Sequence, residues 1–189
     1  YEQGLYQKAE KNLKRAINIR KKIQGKYHPA VAYIFQNLGT LKSAQNLYKE
    51  AEKNFLSAVA ILEKALVPNH HRMADILRLL GRVYERTGLI HKAEKNYLHA
   101  LNISEKRFGR NHLDVAQHLR ELGNFYIMMG FYQKGEELLL KELDITENIL
   151  GKNHPAIGNV LYAIGELNET QGFYKKAEDS YLEALNIQE

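Results

Sequence analysis

The sequence has no cysteine, which rules out a disulfide framework, a thiolate metal site and a cysteine nucleophile. No apolar run approaches the roughly 18–20 residues a membrane-spanning helix needs, so no membrane partner is expected. Neither an initiating methionine nor the apolar core of a secretory signal is present, and the default expectation is a reducing, cytoplasmic setting. Signatures of chemistry are also missing. Ser43, Ser57, Ser104 and Ser180 lack a G-x-S-x-G context, and there is no G-x-x-x-x-G-K-[ST] phosphate loop. "GKNH" and "GRNH" read instead as turns that end helices. The sequence therefore predicts no enzyme, no cofactor and no small-molecule substrate.

Charge is unevenly spread. Residues 1–26 hold Lys8, Lys11, Lys14, Arg15, Arg20, Lys21, Lys22 and Lys26 against Glu2 and Glu10, and this stretch accounts for the net charge of +5. Such a run reads first as a solvated helix face and second as a surface for an acidic partner. Nucleic-acid binding ranks last among the functional readings.

What is abundant is repetition. "AEKNFLSAVAILEKALVPNH", Ala51 to His70, returns 42 residues later as "AEKNYLHALNISEKRFGRNH", Ala93 to His112. At the same period run Ala9, Ala51, Ala93, Gly135 and Ala177, followed by Glu10, Glu52, Glu94, Glu136 and Glu178. Ile19, Ile61, Ile103, Ile145 and Ile187 form another column, and Gly39, Gly81, Gly123 and Gly165 a fourth. His28, His70, His112 and His154 form a fifth. A period in this range defines a repeat array in which each unit buries its apolar face on the next.

Within one repeat, Val31, Ala32, Phe35, Leu38, Gly39 and Leu41 recur at helical spacing between Pro29 and Gln45. A second helix, Tyr48 to Leu66, carries Ala51, Phe55, Ala58, Val59 and Leu62. Gly88, Gly130 and Gly172 mark the turn inside each pair, with Asn46 standing in for glycine in the first; Gly25, Gly109 and Gly151 end the second helices. The glycine and alanine columns are expected where two helices cross closely. The histidines are expected at or beside helix N-caps, because packed helices stand about 8–10 Å apart and a ladder at that spacing cannot share one metal ion. No metal site is expected.

The pattern of LG followed by a ring in the first helix, and YxxAE in the second, resembles the tetratricopeptide repeat. The 42-residue form, with "LGRVYERTGLIHKAEKNYLHALNISEKRFGRNH" and "GKNHPAI", is similar to the kinesin light chain type. The columns depart at Gly135 and Glu142, where alanine is expected, and at Lys42 and Asn168, which replace the ring of Tyr84 and Tyr126. The resemblance implies an all-α, right-handed α-solenoid of antiparallel helix pairs. One array over residues 1–189 is expected, with the second helix of an incomplete repeat at 1–26. Four units then follow at about 27–68, 69–110, 111–152 and 153–189. The chain is expected to be a piece of a longer protein, with Leu13 and Ile17 partly exposed on its first helix.

The same resemblance implies a concave groove lined by first helices. It assigns Tyr33, Gln36, Asn37 and Thr40 (with Ser43) to the first quarter, then Asp75, Arg78, Leu79 and Arg82 (with Glu85). Gln117, Arg120 and Asn124 (with Glu121 and Ile127) follow, then Asn159 and Tyr162 (with Glu166 and Glu169). Amides suit an extended peptide backbone, and the guanidinium groups of Arg78, Arg82 and Arg120 suit carboxylates. The expected function is a scaffold that holds a short, partly acidic peptide of a protein partner in this groove. The alternative is a regulatory arm of a multidomain signalling ATPase or sensor, and the oligomeric state stays open.

Overall fold

Pro29 and Pro155 open helices because a proline at the first helical position gives up an N–H that has no intrahelical partner anyway. The residue before each is the cap. Nδ1 of His28 accepts a hydrogen bond from the Ala30 amide and Nδ1 of His154 from the Ala156 amide, both at 3.1 Å. His112 does the same for the Asp114 amide. His70 lies outside the described residues. His28, His112 and His154 of the histidine column are thus helix N-caps.

The computed structural model describes residues 2–65 and 71–188. Among these, the chain forms α1 (Glu2–Gln24), α2 (Pro29–Ala44), α3 (Tyr48–Lys64), α4 (His71–Arg86) and α5 (Ile90–Phe108). Then come α6 (Leu113–Met128), α7 (Tyr132–Leu150), α8 (Pro155–Thr170) and α9 (Tyr174–Gln188). The first helix starts at Glu2, before the Tyr6 that marks its first column position. Two compact units result, Tyr1–Ile103 and Ser104–Glu189, with the boundary inside α5.

Short reversals build the pairs. After α2 the Leu47 amide returns to the Lys42 carbonyl at 2.9 Å and the Asn46 amide to that of Ser43, the two bonds of a Schellman turn. Such a turn needs a left-handed residue. Asn46 supplies it with φ 58, where the later repeats use Gly88, Gly130 and Gly172.

In the first unit α2 packs on α3, α1 on α2 and α3 on α4. Its core holds Leu38, Phe55, Leu62, Ile76, Leu80 and Tyr97. A Cβ built on Gly39 would stand 2.6 Å from Phe55 Cε1, and one on Gly81 would stand 2.8 Å from Tyr97 Cε1. The glycine column is therefore the floor on which the ring of the second helix lies. Ile17 departs from expectation: it is only 6% exposed. It stands in the column of Leu143, which packs toward α8, so it faces α2 rather than solvent.

In the second unit α6 packs on α7, α7 on α8 and α8 on α9. Leu139, Val160, Ile164 and Leu167 form one cluster, with Tyr132, Leu143, Ile127 and Ala163 against it. Ile157, Leu161 and Ala184 form another.

Candidate peptide-binding face

Each first helix buries one side against its second helix and turns the other outward. On α2, Tyr33 and Thr40 are exposed while Gln36 and Asn37 are partly buried. On α4, Asp75, Arg78 and Leu79 are partly buried and Arg82 is exposed. Arg72, at the start of α4, lies 4.3 Å from the centre of the Tyr33 ring, a cation–π contact between the two helices.

Three of the sequence-derived residues, Thr40, Leu79 and Arg82, line a single cavity of about 400 Å³ in the first unit. Ser43, Ala44, Asn46, Tyr48, Phe55 and Arg86 complete it. The site is amphipathic, with Leu79, Ala44 and Phe55 on its apolar side and hydroxyl groups from Thr40, Ser43 and Tyr48. The Tyr48 hydroxyl donates to Asn46 Oδ1 at 2.8 Å. Arg82 and Arg86 stand one turn apart on α4, and no carboxylate among the described residues pairs with either. Two like charges at this spacing repel each other, and an anion between them relieves that repulsion. Arg86 lies outside the columns taken from the resemblance, which is why sequence reading passed over it; its spacing from Arg82 was the available signal.

In the second unit Gln117, Asn124, Asn159 and Tyr162 are exposed. The Tyr162 ring leans on Tyr181, with centroids 5.3 Å apart. Arg120 is partly buried and has a partner on the neighbouring helix. Its Nε and Nη2 both meet Glu142 Oε1 on α7. Glu142 is 1% exposed, and its second oxygen, Oε2, has no hydrogen-bond partner among the described residues. Burial pushes the Glu142 carboxyl above its ordinary value while Arg120 pulls it back. The guanidinium of Arg120 is thus engaged by the fold itself.

Two glutamates of the first helices, Glu85 and Glu169, follow a rule. Where the second-helix ring carries a hydroxyl, the residue twelve before it is a glutamate: Tyr97 donates to Glu85 and Tyr181 to Glu169, each at 2.8 Å. Phe55 and Leu139 face Ser43 and Ile127 at the same offset. A second rule joins neighbouring repeats, for Lys42 Nζ donates to Glu10 and Tyr84 to Glu52, also at 2.8 Å.

These paired helices with recurring turns and caps define an all-α solenoid of helical repeats. The tetratricopeptide repeat signature matches residues 1–64, 45–106, 72–124 and 114–189, and the chain belongs to that family. Solved structures agree. A P. anserina kinesin light chain protein with nearly identical TPR-like repeats superposes with a TM-score of 0.80 at 22% identity, covering 99% of this chain and 89% of its own. BtubC (BKLC) from P. vanneervenii gives 0.81 at 19%, with 96% and 71% covered. MamA gives 0.64 at 19%, with 96% and 91% covered. No curated protein matches the sequence. Tetratricopeptide repeats are protein–protein interaction scaffolds and typically not enzymes. Among the described residues no helix is long and apolar enough to cross a membrane.

Proposed function

We propose that the α2–α4 face of the first unit binds a short extended segment of a partner protein. An acidic side chain of that segment lies between Arg82 and Arg86, and an apolar or aromatic one rests on Leu79. The observation that carries this reading is the cavity that joins two guanidinium groups, neither paired with a carboxylate of the described residues, to an apolar floor. Gln36 and Asn37 flank it on α2, within reach of a peptide backbone passing along the helix. Arg120 is held by Glu142 in the second unit.

The test is titration of acidic–aromatic peptides against the wild type and an Arg82→Ala/Arg86→Ala variant. Charge-assisted hydrogen bonds contribute roughly 1.5–3 kcal/mol each, so the variant should bind at least tenfold more weakly while melting at the same temperature. Equal affinity in the two proteins would remove the site from this face.

A further inference from the structure

The cavity on the α2–α4 face holds more donors than one carboxylate can use. Arg82 and Arg86 bring two guanidinium groups to it, one turn apart, and no carboxylate lines the cavity with them. One guanidinium fork already satisfies both oxygens of a carboxylate, and a single negative charge leaves the second arginine uncompensated. From α2 the cavity receives two hydroxyls, those of Thr40 and Ser43. A helical serine or threonine can turn its hydroxyl onto the carbonyl four residues back. Ser57, Thr146, Thr170 and Ser180 do so, at 2.7 to 2.9 Å. Thr40 and Ser43 do not, and neither hydroxyl has a hydrogen-bond partner among the described residues. Tyr48 differs from both, because its proton is already given to Asn46.

Two forks and two hydroxyl protons match a phosphate monoester, which has three terminal oxygens and a charge of about −1.5 to −2 near neutral pH. We infer that the acidic residue of the bound segment is a phosphorylated one, its phosphate shared by Arg82 and Arg86 and capped by the Thr40 and Ser43 hydroxyls. The apolar side of the cavity, Leu79 and Phe55, takes the residue beside it, which selects a phosphorylated peptide over a free phosphate ester. This deepens the reading of the α2–α4 face and rests on it. The chain then reads a partner's phosphorylation state, and engagement is switched on by a kinase acting on the partner.

The probes are three fluorescein-labelled versions of one peptide, with serine, glutamate or phosphoserine next to an aromatic residue, titrated by anisotropy into the whole chain. The phosphoserine peptide should bind at least about tenfold more tightly than the glutamate one, the yield of one further charge-assisted hydrogen bond. Thr40→Val with Ser43→Ala should reduce that preference, and so should Arg86→Lys, which keeps the charge but loses the fork. Both variants should melt with the wild type. Equal affinity for the phosphoserine and glutamate peptides would overturn the inference and leave the α2–α4 reading standing, whereas failure of all three peptides would end both. A preference indifferent to both variants would place the phosphate elsewhere and overturn the inference. Inorganic phosphate binding as tightly as the phosphopeptide would overturn it as well, since the site would then take a free anion.

Discussion

Arg120 on α6 closes over the carboxylate of Glu142 on α7, in a column where every other repeat has alanine (Ala16, Ala58, Ala100 and Ala184). Glu142 is the departure, for the arginine already occurs one repeat earlier, as Arg78, opposite Ala100. A carboxylate at an alanine-sized buried position requires a cation that reaches it, and the residue one repeat after Arg78 does so.

Removing only the cation leaves a buried, uncompensated charge. Breaking a buried pair costs about 3–5 kcal/mol, and Arg120→Ala should fall toward the lower end because Arg120 is itself partly exposed. Arg120→Ala with Glu142→Ala, which restores the alanine column, should recover most of the loss. Urea denaturation of the three proteins measures both effects; equal stability of the single and double variants would mean the pair is uncoupled. The sign with pH follows from burial. Glu142 is held above its ordinary value when folded, so the folded chain keeps its proton longer. Its contribution is therefore most favourable below the ordinary carboxylate range and declines as pH rises through the folded value. The stability of the wild type relative to Glu142→Gln should fall over that rise.

Gly135 stands where the other repeats have alanine, and Ile127 explains it. A Cβ at 135 would run into Ile127 Cγ1 and come within 3.1 Å of the Gly123 carbonyl oxygen. Gly135→Ala should destabilise by about 1–3 kcal/mol through overpacking. In an Ile127→Ser background, which copies Ser43, most of that cost should vanish, since alanine is the better helix former by about 0.5–1 kcal/mol. Thermal unfolding of the four proteins closes this double-mutant cycle, and additive effects would show that Ile127 is not the obstruction.

Tyr84 donates to Glu52, and its phenol is pushed up to about 12, first by burial and then by that carboxylate. A phenol that holds its proton more tightly when folded contributes stability fully below the ordinary value near 10, lost as pH climbs toward 12. Tyr84→Phe keeps the ring and should cost about 0.5–1.5 kcal/mol near neutral pH, with a shallower alkaline decline. Titration of the phenolate absorbance should lose one late-ionising group; an unchanged titration would detach Tyr84 from this bond.

The repeat was readable because its physics is local and periodic. Asn46, the histidine caps and the glycine floor under Phe55 and Tyr97 each follow from one residue's own chemistry at a fixed column. The site was less readable because it depends on pairs. Arg120 fits the column of outward residues, and only the oddity of Glu142, visible but unmatched to a partner, pointed to where it goes. Ile17 was misjudged for a related reason. The stripe of α1 that faces α2 is buried, and column equivalence with Leu143 places Ile17 on it.

The glutamate of the YxxAE signature has a consequence for how such a chain grows. It meets an ammonium at Lys42 and a phenol at Tyr84, at the same separation in sequence and with the same bond length. The hydroxyl–glutamate pairs, by contrast, lie inside one helix pair and travel with it when it is copied. The seam between copies thus uses an acceptor indifferent to which donor arrives, while the demanding matches stay within the copied unit. Duplicated segments can be spliced in, lost or shuffled without their neighbours having to change first.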